Sequence, residues 1–413
     1  DTEPELHLRS VTLTAKDKIC LCETRECTPE ACPYANGYYA RIKGALWDVL
    51  DVPCLTAETL QEYAERHTVC PFELGLDSSL WSDVIIGDYN YLFDPVVHLV
   101  RFFESAGDYI FLVDEAHNLP GRAREMHSAA LTKTSFYEAK KLLGKGKSSL
   151  KNALTKVNDV FIEWRHRAEE ETAARDGRFG KTFFLKERSE EFDHLLNRLC
   201  EPLEAWLDDH REPDETHTAL LQLYFDVRAW LRVADTFDDH FVLQITASGS
   251  EVRAAQLCLD PSAFLADSFA LGRAAVLFSA TLAPASYYKD LCGVPEARAV
   301  ALRSPFPAGN QGLFCIGNVS TRYKDRDASL AIVEESLATM VRARCGNYLA
   351  FFPSYAYMEQ AYAQFKEHCP EINCIKQENA MDEQQKAAFL AQFGPQPTPA
   401  WLCRDGRRIW GGR

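Results

Sequence analysis

Tyr109-Ile110-Phe111-Leu112-Val113-Asp114-Glu115-Ala116-His117 decides how the chain is read. Five largely apolar residues run directly into two adjacent carboxylates. A short apolar run of this kind predicts a strand buried on both faces of a parallel sheet. Ligand sites in open α/β sheets lie beyond the carboxyl ends of the strands, so Asp114 and Glu115 are expected where a nucleotide phosphate binds. Asp at such a strand end suits Mg²⁺, held through water. The next carboxylate suits orienting or deprotonating an attacking water. His117, two residues on, is placed to sense a γ-phosphate. On this stretch alone the plainer reading stays open: a buried strand ending in a solvated Asp-Glu pair.

The chain has 413 residues, 46% of them hydrophobic. That suffices for two to four domains of ~100–200 residues each. No apolar run reaches the ~18 residues of a membrane span. The start, Asp1-Thr2-Glu3-Pro4-Glu5, has neither the basic nor the apolar region of a signal peptide, and its abruptness without Met predicts a fragment. The net charge of −15 excludes a wholly basic nucleic-acid coat but not a local basic groove. Fourteen Cys without a secretion signal point to a reducing cytoplasm, where clustered Cys read as metal or cluster ligands.

Four of those Cys crowd into thirteen residues: Cys20, Cys22, Cys27 and Cys32. Cys54 and Cys70 follow. Cys32-Pro33-Tyr34 parallels Cys70-Pro71-Phe72, and Pro after Cys ends local structure and leaves the thiolate free to face inward. Four thiolates on a loop-rich segment suit a [4Fe–4S] cluster or a Cys₄ zinc. Zinc sites use short paired spacings, whereas Cys70 stands 38 positions beyond Cys32, which favours the cluster. Cys54, in Val52-Pro53-Cys54-Leu55, reads as core. Residues 56–68 predict a helix capped by Thr56 or Thr59. Trp81 to Tyr91 reads as a second buried strand with a polar end. Joined by a short helix over Val96–Glu104 to the Asp114 strand, it predicts a βαβ unit.

From about 123 to 240 the pattern is helical and charged, with no strong strand before Phe241-Val242-Leu243-Gln244-Ile245. Lys133, Lys140, Lys141, Lys145, Lys147, Lys151 and Lys156 crowd its start. They form either a solvated helical hairpin or a phosphate-tracking surface. Gly144-Lys145-Gly146-Lys147-Ser148 imitates a phosphate loop, but Lys141 stands where the loop needs its first Gly, and no such loop occurs elsewhere. Strand character returns at Leu257-Cys258-Leu259 and at Ala274-Ala275-Val276-Leu277-Phe278. The latter leads into Ser279-Ala280-Thr281, hydroxyls suited to hydrogen-bonding the strand end at Asp114 or His117. After Ser304-Pro305-Phe306-Pro307 come a helix over Leu330–Arg344, a buried strand Tyr348–Phe352, and further helix, strand and helix to Phe393. Arg322, Lys324 and Arg326 form a small basic cluster around Tyr323.

Asp114-Glu115-Ala116-His117 resembles the Walker B box of superfamily 2 helicases. Ser279-Ala280-Thr281 resembles their motif III, and Phe351-Phe352-Pro353-Ser354-Tyr355 is similar to their motif IV. With the Cys group before the box and an insertion after it, the chain resembles the iron–sulfur helicases of the DinG and xeroderma pigmentosum group D type. The likeness covers nearly the whole chain, and its specificity lies in the ordered combination. It implies an α/β fold of RecA-like P-loop NTPase helicase domains, with an inserted iron–sulfur domain and an α-helical Arch. Helicase domain 1 would comprise residues 1–15, 80–122 and 250–303, without its P-loop. The cluster domain would be 16–79 and the Arch 123–249. Residues 304–413 would begin helicase domain 2.

The resemblance further implies a [4Fe–4S] cluster on Cys20, Cys27, Cys32 and Cys70, with Cys22 competing for the first position. Asp114, Glu115 and His117 would serve Mg²⁺ and ATP, and Ser279, Ala280 and Thr281 would couple hydrolysis to movement. Lys140, Lys141, Arg322, Lys324, Ser354 and Tyr355 would touch nucleic acid. The implied activity is ATP-driven 5′→3′ movement on single-stranded or forked DNA in repair or replication, by a cytoplasmic monomer. The family's P-loop and its arginine-bearing motif VI are missing from the sequence, so this chain alone is expected to lack useful ATPase. Motif V is due near the C-terminus, where Leu402 to Gly412 does not read as a buried strand. A neighbouring frame of suitable codons gives Gly-Phe-Ala-Val-Met-Gly-Gly-Ala-Tyr-Gly-Glu, which resembles motif V, so a frameshift is expected near 398–401. The competing readings are a non-catalytic iron–sulfur nucleic-acid-binding module and a Cys₄ zinc protein with an unrelated α/β domain.

Overall fold

The computed structural model describes residues 7–144, 148–174, 181–212, 214–320, 322–344, 346–378, 381, 383–393 and 399–403. Lys145 to Lys147 of the glycine-rich stretch and the tail from Arg404 onward lie outside these. The chain divides into two compact units, Asp1–Val300 and Ala301–Arg413. Both are α/β. Among the described residues no helix is long and apolar enough to cross a membrane.

The first unit opens with a parallel three-stranded sheet. β1 (Ser10–Thr12) lies between β2 (Cys54–Leu55) and β3 (Val84–Ile86). Three helices follow the thiol-rich loop: Tyr38–Val49, Ala57–His67 and Pro71–Ser78. Thr56 caps the second, its hydroxyl accepting from the Thr59 N–H. Pro71 starts the third, where a missing N–H costs nothing. Val11 and Leu13 share one core with Ile42, Ala45, Leu60, Ala64 and Leu74, so β1 and these helices pack as a single body. Cys54 departs from its core reading. On the two-residue edge strand β2 successive side chains point to opposite faces, so Leu55 is buried and Cys54 is exposed.

β4 (Ile110–Val113) follows, but it does not complete a βαβ unit with β3. Residues between them form only two four-residue helices, Asn90–Phe93 and Val100–Phe103. Asp94 breaks the segment: its Oδ1 accepts from the Val96 and Val97 N–H groups in a tight turn at Pro95.

The insertion is less helical than its charge pattern predicts. β5 (Ala129–Thr132), β6 (Lys181–Leu185), β7 (Phe241–Ser248) and β8 (Glu251–Cys258) form an antiparallel sheet in the order β5-β8-β7-β6. β7 alternates strictly, with Phe241, Leu243, Ile245 and Ala247 inward. Four helices accompany this sheet: Ser149–Ala174 packs on β6, β7 and β8, Lys133–Leu142 and Glu215–Thr236 pack on β5 and β8, and Glu190–Asp209 lies over Ser149–Ala174 and Glu215–Thr236. In the first of these, Leu150, Leu154, Val157, Phe161, Trp164 and Ala168 repeat at steps of three and four, which places them on one buried stripe. One core joins these to Phe183, Phe192 and Trp230.

β9 (Ala274–Leu277) then returns to pair in parallel with β4, Ile110 opposite Ala274 and Val113 opposite Leu277. The expected burial of β4 on both faces is not observed. Ile110 and Leu112 are 63% and 68% exposed, while Val113 is buried with Ala116, Leu119, Leu265 and Phe269. With β9 as its hydrogen-bonded neighbour among the described residues, β4 has one covered face and one bare one. β3 likewise leaves Ile85 and Ile86 exposed.

In the second unit, β10 (Tyr348–Phe351), β11 (Asn373–Lys376) and β12 (Pro399–Cys403) form a parallel sheet ordered β10-β12-β11. The stretch expected to break off near Leu402 is therefore strand-paired through Cys403. Arg326–Ala343, Tyr355–His368 and Glu383–Ala391 are its helices. β10 keeps Leu349 and Phe351 exposed, and the buried residue is Phe352, just beyond it.

Candidate nucleotide-hydrolysis box and thiol cavity

β4 ends at Val113, and the next peptide groups continue the pairing with β9. Phe278 N–H donates to the Val113 carbonyl at 3.0 Å, and Ala116 N–H donates to the Phe278 carbonyl at 3.1 Å. Between those bonds the chain turns sharply. Glu115 takes a left-handed conformation, φ 47°, unusual for a residue with a side chain. Its N–H is held by Asp114 Oδ1 at 2.7 Å. The Tyr89 hydroxyl donates to the Asp114 carbonyl. Burial, then the Asp114 and Glu115 carboxylates, push the Tyr89 phenol up to about 12, so it stays a donor.

The turn directs Glu115 and His117 toward the end of β9. His117 Nδ1 lies 2.8 Å from Ser279 Oγ and 3.1 Å from Glu115 Oε2. Ser279 Oγ donates to Glu115 Oε2 at 3.1 Å and accepts from the Thr281 N–H at 3.2 Å. One proton arrangement satisfies all of these: His117 carries its proton on Nδ1 and donates to Ser279, which donates onward to Glu115. Asp114 is exposed beside them. Glu115 is 52% exposed and His117 17%. The expected bond between the small hydroxyls and His117 is thus present, and Glu115 joins it. Tyr89 was missed; its signal is the polar end Asp88-Tyr89-Asn90 of the preceding strand segment.

Cys20, Cys22, Cys27, Cys32 and Cys70 all line one cavity of about 240 Å³. Cys54 does not. Cys22 Sγ and Cys32 Sγ stand 3.9 Å apart. Burial and the neighbouring Cys32 thiol push the Cys22 thiol up to about 11. Burial also raises Cys70. Lys16 lies at the rim. Burial lowers its pKa, but Glu73 at 3.3 Å and the Cys27 and Cys70 thiols outweigh that and hold it raised. Five soft sulfur donors around one cavity, with a cation beside them, fit a thiolate-held iron–sulfur group. Among the described residues no three His, Cys, Asp or Glu side chains converge closely enough to hold a single metal ion.

The remaining sequence candidates fall into two places. Lys140 and Lys141 lie in the last turn of the helix Lys133–Leu142, with Lys141 exposed. Arg322 and Lys324 are exposed at a short turn, while Ser354 caps the helix Tyr355–His368 by accepting from the Tyr357 N–H. Arg326 donates to Ser354 Oγ at 3.3 Å and lies over the rings of Tyr323 and Tyr357. Arg326, read as one of three surface cations, is thus the one tied to Ser354. Tyr355 packs against the core of this unit.

Residues 5–136 match the DEAD_2 family. The helicase subunit XPD of the general transcription and DNA repair factor IIH from Schizosaccharomyces pombe is 24% identical over 383 residues, covering 75% of this chain and 49% of that protein. The XPD/RAD3 subunit from Saccharomyces cerevisiae is 23% identical over 421 residues, covering 83% and 53%. Over these stretches the chain is similar to helicase subunits of the XPD type. It spans about half the length of these curated XPD relatives. A solved XPD helicase structure overlays with a TM-score of 0.49 at 17% identity, covering 98% of this chain and 68% of that one. The DEAD_2 match takes in the thiol cavity and the box and ends in the first helix of the insertion.

Proposed function

We propose that the chain carries the hydrolytic box, the iron–sulfur module and the Arch of an ATP-dependent DNA helicase moving 5′→3′ on single-stranded or forked DNA in repair or replication. The observation that carries this reading is the Glu115–His117–Ser279 hydrogen-bonded set, which ties the box to the end of the neighbouring strand. Asp114, exposed at the carboxyl end of β4, would hold Mg²⁺, which supplies charge neutralisation on the ATP phosphates. Glu115 would orient and deprotonate the attacking water. Ser279, bonded to both His117 and Glu115, is positioned to pass a change at the phosphate end into the chain that follows β9. Within an ATPase-competent polypeptide containing this chain, Glu115→Gln is expected to cut DNA-stimulated phosphate release by about 10²–10⁴-fold, as for loss of a general base. Undiminished release by that variant overturns the assignment.

Cys20, Cys27, Cys32 and Cys70 would hold the cluster within residues 16–79, the second helicase domain would start near 304, and the Arch would begin near 123 and run beyond the expected 249 to about 258, since β8 (Glu251–Cys258) pairs within its sheet. Anaerobic purification with iron and sulfide assay tests the module directly. A broad absorption near ~400 nm with about four irons per chain is expected. Serine at any of these four positions should strip the iron, while Cys22→Ser should retain it. Stoichiometric zinc without colour would overturn the iron–sulfur assignment.

A further inference from the structure

Cys22 is the thiol that this ligand assignment leaves unused, yet it lines the same cavity and faces Cys32 at 3.9 Å. We propose that Cys22 and Cys32 are a thiol–disulfide pair which, in the cluster-free chain, reacts with a small-molecule disulfide such as oxidised glutathione. The bond so formed withdraws Cys32 from cluster assembly until it is reduced.

The geometry supports the bond. A disulfide needs its sulfurs at about 2.05 Å, so these must close by roughly 2 Å. The intervening backbone can give that much. Residues 23–31 contain turns and bends but no helix or strand. A loop this short also costs little to close. Both thiols are partly exposed, so a tripeptide disulfide can reach them. One thiolate attacks a glutathione sulfur, forming a mixed disulfide and releasing one glutathione thiolate. The second protein thiol, as its thiolate, attacks the protein sulfur of that mixed disulfide and expels the other glutathione. Two protein thiols are oxidised, one glutathione disulfide is reduced to two thiols, and nothing else is required.

The consequence for the cluster rests on the iron–sulfur reading above. A thiol locked in a disulfide cannot ligate iron, so one corner of the site is lost. Cys22 would then act only as a resolving partner, protecting Cys32 from irreversible oxidation.

The test uses the whole 413-residue chain, freed of metal and treated with oxidised glutathione. After alkylation and trypsin, Ile19–Arg25 should be joined to Glu26–Arg41, with fragmentation placing the bond on Cys22 and Cys32. Cys20→Ser and Cys27→Ser should leave that crosslink intact, and Cys22→Ser should abolish it. Bonding through Cys20 or Cys27, or glutathione adducts without a crosslink, overturns the pair. Iron and sulfide uptake then tests the consequence. The oxidised wild-type chain should take up about tenfold less iron than the reduced one, thiol should restore it, and Cys22→Ser, lacking the resolving thiol, should instead hold glutathione on Cys32 as a mixed disulfide seen by mass. A treated Cys22→Ser chain that carries no glutathione on Cys32 overturns the resolving role. If the reduced wild-type chain also takes up no iron, the iron–sulfur reading fails and the withdrawal of a ligand fails with it, while the peptide map still decides the bond.

Discussion

Glu115 holds a left-handed backbone, a conformation that costs of order 1–3 kcal/mol for a residue with a side chain and is found where the surroundings enforce it. Here the enforcement is visible: Asp114 Oδ1 on its N–H, the Phe278 carbonyl on the next N–H, and Tyr89 on the Asp114 carbonyl. Asp193 is the opposite case, a carboxylate buried without such help. Trp230 Nε1 donates to one oxygen at 2.8 Å, and the other oxygen is buried without a partner among the described residues. Burial raises its pKa above the ordinary 3.8, outweighing the Trp230 bond and Arg188. A raised carboxyl favours the fold below pH 3.8 and loses that contribution as pH rises through its elevated value. Asp193→Asn should therefore be more stable than wild type at neutral pH, with the difference shrinking on acidification toward pH 4. Urea unfolding of the insertion at both pH values checks this; a pH-independent difference counts against it.

Elements differ in how far their sequence announces them. The helix Ser149–Ala174 repeats its apolar residues at steps of three and four, and β7 alternates, so both read directly from the pattern. β5 and β6 do not. They are short strands set among charged helices, and what makes them strands is pairing: β5 with β8, more than a hundred residues away, and β6 with β7. Their Leu131 and Phe183 are buried only because that sheet closes on the helices. Trp230 and Phe161 sit in the same core and are fully buried. Trp230→Ala or Phe161→Ala should cost about 3–5 kcal/mol through lost burial and the cavity left behind. Hydrogen-exchange mass spectrometry should show this as faster exchange in Glu190–Asp209 and Glu215–Thr236, with the thiol-loop helices unchanged because their core is separate.

For the molecule as a whole, the box and the thiol cavity belong to the same unit but to different cores. Their chemistries can therefore be lost independently. The 413-residue chain contains no G-x-x-x-x-G-K-[ST] loop to cradle the phosphates opposite Asp114. DNA-stimulated phosphate release by the purified chain should accordingly stay at background, even when it is loaded with iron. Release above that level would show that the box binds nucleotide without the loop.

Sequence by itself determined the residue types and their order: apolar run, Asp-Glu-Ala-His, Ser-Ala-Thr, and thiols grouped before the box. These are local facts, fixed by composition and spacing. It also determined which long helices form, because their periodicity is written within a few turns. The tertiary structure alone decided what depends on distant partners. It brought Ser279 to Glu115 and His117 across more than 160 positions of chain. It gathered Cys70 to the thiol loop and left Cys54 on an edge strand facing outward. It gave β4 one bare face, because an apolar run records the capacity to be buried, while burial itself depends on which strand and helix come to lie against it.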